Sequence, residues 1–351
     1  MMETPQDLEQ PIPRKVMAHG GMIAAARALY PAAPTPWLDL STGINAQPYV
    51  LRALDNRAST CLPDDAALAD LQVAAAHSYG VLQPDLVVAF PGTEILIRLL
   101  PHVLAMHGAR VCVMSPTYSS HATSWRAAGH SVVEVDSLSA LAAGDVAVLC
   151  NPNNPDGRVY QRAALLDVAS RVQLLVVDEA FADLEPRFES MADCLPHPQV
   201  LVMRSFGKTY GLAGMRLGFA LTDTERAARL RRAIGSWAIS GHALAAGLQA
   251  LPDAAWRATI AARLNADIAR LDAMVAPMAL SLIGGTRLFR LYRYANAHGL
   301  WHHLATQGIL TRRFEGHTDW LRFGLPGNEH DWVRLATALG RAVFVQSEAR
   351  S

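Results

Sequence analysis

A lysine stands between a hydroxyl side chain and an arginine in a glycine-rich stretch of the sequence. Ser205 precedes Lys208 by three residues, and Arg216 follows it by eight. A hydroxyl and a guanidinium group together can clamp a phosphate, and a lysine amine can condense with an aldehyde. The spacing therefore predicts covalent chemistry at Lys208, beside a phosphate clamp.

Three further polar clusters each follow a short apolar run. They are Gly92-Thr93-Glu94, Asn151–Gly157 and Asp178-Glu179. The apolar runs alternate with helical patterns, which is typical of a mostly parallel, doubly wound sheet. Ligands of such sheets bind beyond the carboxyl ends of the strands, so we expect these clusters to surround one site.

The predicted strands of this sheet are Leu86–Phe90, Arg110–Met114, Ser131–Val135, Val146–Cys150, Leu174–Val177 and Val200–Arg204. After Thr222 the pattern changes to long helices, and the last part of the chain indicates a small α/β domain. We therefore predict an N-terminal arm and small-domain segment at 1–40, a large domain at 41–240 and a small C-terminal domain at 241–351.

Composition excludes several classes of function. The 31 basic and 31 acidic side chains give a net charge of zero, so we expect no binding to nucleic acid. The four cysteines form no CxxC pair, which argues against a metal site or disulfide framework and favours a reducing cytoplasm. Residues 1–15 predict a polar arm, not a signal peptide, and no apolar run is long enough to cross a membrane.

The Lys208 segment resembles the Ser-x-x-Lys…Gly-Leu-Ala-Gly-x-Arg signature of the fold-type I aminotransferases. Asn151–Gly157 is similar to that family's Asn-Pro-Asn-Asn-Pro-x-Gly turn, and Asp178-Glu179-Ala180-Phe181 to its Asp-Glu-Ala-Tyr/Phe strand end. The match extends from His19 to about Phe344. The resemblance implies the pyridoxal-phosphate-dependent transferase fold of type I, an α/β fold with a mostly parallel central sheet in a large domain and a smaller α/β domain.

The same resemblance implies pyridoxal 5'-phosphate as the cofactor and no metal. Lys208 would hold its aldehyde carbon, and Asp178 would keep the ring nitrogen protonated, because an opposite charge favours the charged form. A protonated ring accepts the electrons of a carbanion. Tyr118 would stack on the ring as a third catalytic residue. The other cofactor-binding residues that the resemblance implies are Gly92, Thr93, Glu94, Asn154, Ser205 and Arg216.

Substrate-binding residues also follow from the resemblance. Arg322 matches the arginine that forks the substrate α-carboxylate, and a planar bidentate donor suits that role. Arg312 matches the basic residue of members with phosphorylated substrates, although the neighbouring Arg313 could point inward instead. His19 and Asn45 would lie near the substrate phosphate.

Two branches of the family compete for this sequence. His19-Gly20-Gly21 and the segment Trp37–Asn45 resemble the threonine-phosphate decarboxylases of cobalamin biosynthesis, which act on a small phosphorylated amino acid. The alternative branch, the histidinol-phosphate aminotransferases, would use 2-oxoglutarate as acceptor. A third hypothesis is a scaffold protein that keeps the fold without the chemistry. It would require the site residues to be present without a catalytic role.

The sequence departs from the family at two positions. Leu62 stands where many relatives carry a tyrosine that reaches across the dimer, and Phe181 stands where many carry a tyrosine that bonds the phenolic oxygen. Both departures put in doubt a simple transfer of transaminase behaviour.

The resemblance implies a homodimer, since the sites of these enzymes form at a subunit boundary.

Overall fold

The structure, a computed structural model, describes residues 19–104 and 106–348. The arm predicted at residues 1–15 lies outside this part of the chain. The described strands are β1 Leu38–Asp39, β2 Val87–Phe90, β3 Arg110–Met114, β4 Ser131–Val135, β5 Val146–Cys150, β6 Leu174–Asp178, β7 Val200–Ser205, β8 Gly218–Leu221, β9 Ser281–Thr286, β10 Phe289–Arg293, β11 Ile309–Leu310, β12 Arg312–Phe314 and β13 His317–Gly324.

Helices of four to 22 residues join these strands. They are α1 Ile23–Leu29, α2 Arg57–Thr60, α3 Asp65–Ser78, α4 Thr93–Val103, α5 Ser120–Ala127, α6 Leu138–Leu141, α7 Arg162–Ala169, α8 Phe206–Thr209, α9 Thr224–Ile234, α10 Gly241–Ala250, α11 Ala254–Val275, α12 Ala297–Thr306 and α13 Glu329–Glu348. No helix in the described ranges is long and apolar enough to span a membrane.

The central sheet has seven strands in the order β2-β8-β7-β6-β5-β3-β4. Strands β3 to β7 pair in parallel, and β8 runs antiparallel to both of its neighbours. The predicted α/β class with a mostly parallel sheet is therefore confirmed. Every residue of β5 and β6 is buried, as the continuous apolar runs of a doubly covered sheet require.

The described chain divides into two compact units. The larger unit comprises residues 44–266 and 285–288, and the smaller one comprises described residues up to Gly43, residues 267–284 and those from Phe289 onward. The larger unit thus extends 26 residues beyond the boundary predicted at 240. Within the smaller unit, β12, β13, β10 and β9 form a sheet in that order, and β1 pairs in parallel with β11.

Several element boundaries differ from the predictions. Helix α4 ends at Val103, whereas the sequence pattern continued it to His107. Pro101 lies inside this helix, and its missing N–H removes one helical hydrogen bond close to the end. Strands β8 and β9 were not predicted, because β8 begins with glycine and β9 contains two glycines, and glycine weakens a strand pattern.

Candidate functional site

The carboxyl ends of three parallel strands meet in the larger unit. Asp178 is the last residue of β6, and its Cα partner on β5 is Cys150. Ser205 ends β7, and Lys208 follows on the single turn α8. The strand order therefore brings together the Asp178 and Lys208 segments, which the sequence separates by 30 residues.

Asp178 is a buried carboxylate with a definite set of partners. His121 Nε2 lies 3.0 Å from its Oδ2 atom, and the Ala180 backbone N–H donates to Oδ1 at 3.0 Å. Burial raises the pKa of Asp178, but the hydrogen bond and charge of His121 and the charge of Lys208 together hold it below its ordinary value. The geometry thus keeps a negative charge at this strand end.

His121 is a site residue that the sequence analysis missed. It lies on α5, is 1 % exposed and is close to both Asp178 and Cys150. Burial lowers the pKa of His121, but Cys150 and Asp178 outweigh this effect and raise it to about 10. The sequence offered only its position three residues after Tyr118, and this spacing belongs to no common catalytic motif.

These three side chains also form one cluster of potential metal ligands in the described part of the chain. The ligand atoms of His121, Cys150 and Asp178 lie within 4.8 Å of one another. The 3.0 Å contact between His121 and Asp178 is a hydrogen bond.

Lys208 lies close to the same carboxylate. Its charge contributes to the lowered pKa of Asp178, and its Nζ atom lies 5.1 Å from the centre of the Phe181 ring. Phe181 is buried, so its ring forms one wall beside the amine. The structure thus brings the predicted nucleophile and the predicted carboxylate together.

An anion cradle lies at the start of α4. The backbone at Gly92 has φ 89°, and a Cβ atom there would lie 2.4 Å from Arg216 Nη2. The guanidinium group therefore sits directly over the helix N-terminus, where free N–H groups attract anions. Thr93 begins this helix. A phosphate fits this arrangement of one arginine and a helix N-terminus.

The side chain of Glu94 contributes to the site indirectly. Tyr118 donates a hydrogen bond to Glu94 Oε2 at 3.0 Å, and Arg98 pairs with Glu94 Oε1 at 2.9 Å. Burial raises the pKa of Tyr118 to about 12, so its hydroxyl stays protonated. The carboxylate of Glu94 thus holds Tyr118, and the cradle can use only the backbone N–H of Glu94.

The turn that carries Asn154 is fastened to the loop that carries Tyr118. Asn153 Nδ2 donates to the Pro116 carbonyl at 2.9 Å, and Thr117 Oγ1 donates to Asn153 Oδ1 at 2.8 Å. The two loops therefore form one support. It positions Asn154 and Tyr118, the predicted partners of the phenolic oxygen and of the ring.

The smaller unit contains a pair of cross-strand arginines. Arg312 on β12 and Arg322 on β13 are Cα partners. Arg322 is 5 % exposed, and its Nη2 atom donates to the Ser41 carbonyl at 2.9 Å. Burial and the charge of Arg312 lower the pKa of Arg322, and Asp39 offsets this only in part. Two like charges in a buried setting favour the binding of an anion.

The other predicted substrate-binding residues lie in different settings. Arg313 follows Arg312 but places its guanidinium 5.2 Å from the centre of the Trp301 ring. His19 is exposed at the start of the described chain. Asn45 belongs to the larger unit, where its Nδ2 atom donates to the Thr209 carbonyl at 3.0 Å.

Comparisons with known proteins identify the family of this chain. The family model "Aminotransferase class I and II" matches residues 36–339. A threonine-phosphate decarboxylase from Sinorhizobium sp. is 41 % identical over 333 residues, 93 % of this chain and 98 % of that protein. Its counterpart from Pseudomonas aeruginosa is 39 % identical and covers 92 % of this chain and 97 % of that protein.

Solved structures share the fold. The histidinol-phosphate aminotransferase from Sinorhizobium meliloti, solved in complex with pyridoxal-5'-phosphate, superposes with a TM-score of 0.78 at 20 % identity. The superposition covers 98 % of each chain. At this identity the likeness concerns the fold.

The charge on His121 can be tested through stability. A raised pKa means that the histidine stabilises the fold fully below its ordinary value of 6.5 and loses this effect as the pH rises through about 10. The variant His121→Asn keeps a hydrogen-bond donor but carries no charge. We therefore expect the difference in unfolding free energy between the native protein and the variant to shrink from pH 6.5 to about 10. Urea unfolding at several pH values in this range measures it.

His130→Asn is the matched control, because this buried histidine contacts the neutral Pro101 carbonyl instead of a carboxylate. A difference that stays constant for His121→Asn across the whole range would show that His121 is neutral in the folded protein.

Proposed function

We propose a specific reaction for this chain, which belongs to the aminotransferase class I and II family and is a pyridoxal-phosphate-dependent lyase. The reaction is decarboxylation of L-threonine O-3-phosphate to (R)-1-amino-2-propanol O-2-phosphate, within cobalamin biosynthesis. The similarity to threonine-phosphate decarboxylases over nearly the whole chain carries this proposal. The arginine pair of the smaller unit supports it, because the substrate has two acidic ends.

The residues present fit the cofactor. When bound, pyridoxal phosphate supplies an electron sink for the bond that breaks at the substrate α-carbon. Asp178 would hold the proton on the ring nitrogen, because its hydrogen bonds and the charges of His121 and Lys208 keep it ionised. Lys208 would hold the aldehyde carbon of the cofactor, and Arg216 with the N-terminus of α4 would hold its phosphate.

Orientation of the substrate decides which bond breaks. The bond that stands perpendicular to the ring is the one whose electrons reach the sink. We propose that Arg322 binds the α-carboxylate of the substrate and that Arg312 binds its phosphate, which would select the Cα–carboxylate bond for cleavage. Lys208 or a water molecule would return to Cα the proton that replaces the departing CO₂.

The reaction itself is the first test. Purified protein with pyridoxal phosphate should release one CO₂ per phosphothreonine consumed, with or without 2-oxoglutarate. The sequence contains two lysines, Lys15 and Lys208, which makes a matched control available. Lys208→Ala should abolish both turnover and the visible absorbance of the bound cofactor, whereas Lys15→Ala should preserve both.

Release of an oxoacid-dependent product without CO₂ would instead indicate transamination, and histidinol phosphate would then be the substrate to test. Full activity of Lys208→Ala would overturn the assignment of the lysine.

The roles of the two neighbouring arginines can be separated. Arg312 lies beside Arg322, whereas Arg313 packs on Trp301. A charged hydrogen bond contributes about 1.5–3 kcal/mol, so Arg312→Ala should raise KM for phosphothreonine roughly tenfold or more. Arg313→Ala should change KM by less than about twofold on the same scale. Steady-state kinetics of both variants measure this, and the reverse ranking would assign the phosphate to Arg313.

We also propose that the chain is a homodimer in the cytoplasm. Leu62 is 69 % exposed and Trp237 is 61 % exposed in the larger unit. Trp237 borders a cavity of about 250 Å³ that Leu68, Ile234 and other apolar residues line. Exposed apolar groups around a cavity favour a protein interface. The four free cysteines support the proposed cytoplasmic location, because the cytoplasm is a reducing compartment. Cell fractionation would test this location.

Trp237→Glu should shift the protein from dimer to monomer in sedimentation velocity, because a charge at a buried apolar contact is costly. Val333→Glu on α13 is the control, since Val333 is similarly exposed at 56 % but lies in the smaller unit. A monomeric native protein would contradict the proposal.

A further inference from the structure

Most carbonyl groups of the turn that carries Lys208 find no hydrogen-bond donor within the turn itself. Helix α8 has four residues, and Tyr210 N–H donates back to the Phe206 carbonyl at 3.2 Å. The last carbonyl groups of any helix lack partners within the helix. Those of Lys208, Thr209 and Tyr210 therefore need donors from elsewhere in the chain.

Asn45 supplies two of these donors. Its backbone N–H donates to the Lys208 carbonyl at 2.9 Å, and its Nδ2 atom donates to the Thr209 carbonyl at 3.0 Å. Tyr49 N–H donates to the Tyr210 carbonyl at 2.8 Å. The segment Asn45–Tyr49 thus caps three successive carbonyl groups, beginning with that of Lys208.

The orientation of the Asn45 amide is fixed. Its Oδ1 atom accepts the Gln47 N–H at 3.0 Å, so the amide nitrogen must face the Thr209 carbonyl. Asn45 is 2 % exposed. Gly211 has φ 66°, and a Cβ atom there would lie 2.5 Å from the Asn45 carbonyl oxygen. The capping segment therefore rests directly on the lysine turn.

The opposite side of the turn is anchored by a buried ion pair. Thr209 Oγ1 donates to Asp183 Oδ2 at 2.9 Å, and Asp183 Oδ1 accepts from Arg204 Nη1 at 2.7 Å. Arg204 is buried, and the side chain of Asp183 is 6 % exposed. The residue that follows Lys208 is therefore held from two sides, by a backbone cap and by a fixed carboxylate.

We propose that Asn45 is a positioning residue for Lys208, and that it does not bind the substrate phosphate. It holds the backbone from which the reactive amine extends, and its buried amide is engaged at both ends with main-chain groups. This inference rests on the proposed function only where the reaction with phosphothreonine is used as a readout.

Two variants of Asn45 separate the roles. Asn45→Asp keeps the acceptor for Gln47 N–H but loses the donor to the Thr209 carbonyl, and Asn45→Ala loses both. Asn296→Ala is the control, because Asn296 also bonds the backbone of a helix end, at Gly299 in the smaller unit. If Asn45→Ala fails to fold, the same measurements on Asn45→Asp decide the question.

The first readout is the visible circular dichroism of the holoenzyme, which reports how the bound cofactor is held and needs no substrate. Both Asn45 variants should change its amplitude and weaken pyridoxal phosphate binding several-fold, whereas Asn296→Ala should change neither. This outcome does not depend on whether phosphothreonine is the substrate.

The second readout is the division between kcat and KM. Loss of a positioning contact should lower kcat roughly tenfold, equivalent to a barrier change of about 1.4 kcal/mol, and leave KM for phosphothreonine within about twofold. A large rise in KM with native circular dichroism would make Asn45 a substrate-binding residue and overturn the proposal. A variant with native circular dichroism, native cofactor affinity and native kcat and KM would overturn it as well.

Discussion

A buried carboxylate must be compensated, and this constraint at Asp178 organises the site. Removing a charge from water is costly unless opposite charges and hydrogen bonds replace the lost hydration. His121 and the Ala180 N–H provide the hydrogen bonds, and Lys208 provides a second positive charge. The same compensation that stabilises the carboxylate also keeps it ionised. The stability of the buried carboxylate and its proposed capacity to hold a proton on a bound heterocycle would therefore have one physical origin.

A second buried carboxylate, Glu179, lies next to Asp178 and is also compensated by an opposite charge. Glu179 is fully buried and pairs with Arg204 at 2.9 Å, while Arg204 also contacts Asp183 at 2.7 Å. Burial raises the pKa of Glu179, and the charge of Arg204 acts against this shift. Adjacent residues of one strand end thus serve two functions. Asp178 faces the site, and Glu179 belongs to the network that supports the lysine turn through Thr209.

The sequence predicted those features that depend on local pattern or on motif spacing. Strands β3, β4 and β5 have their predicted bounds. In β3 and β5, continuous apolar runs identify buried parallel strands. The nearness of Lys208 to Asp178 followed from strand-end placement. His121 could not be predicted, because a histidine inside a helix has no local signature and its partner lies 57 residues away. Contacts of this kind depend on tertiary structure.

Asn45 illustrates the same limit at a residue that the sequence did single out. Its resemblance to a family motif indicated that the position matters, and the residue type suggested a polar ligand. An asparagine can equally serve backbone groups, because its amide offers both donors and an acceptor. Only the tertiary structure reveals that a helix of four residues leaves the Lys208 and Thr209 carbonyls in need of donors and that Asn45 meets this need. We therefore infer that a motif residue can act on a reaction through the backbone of the reactive residue.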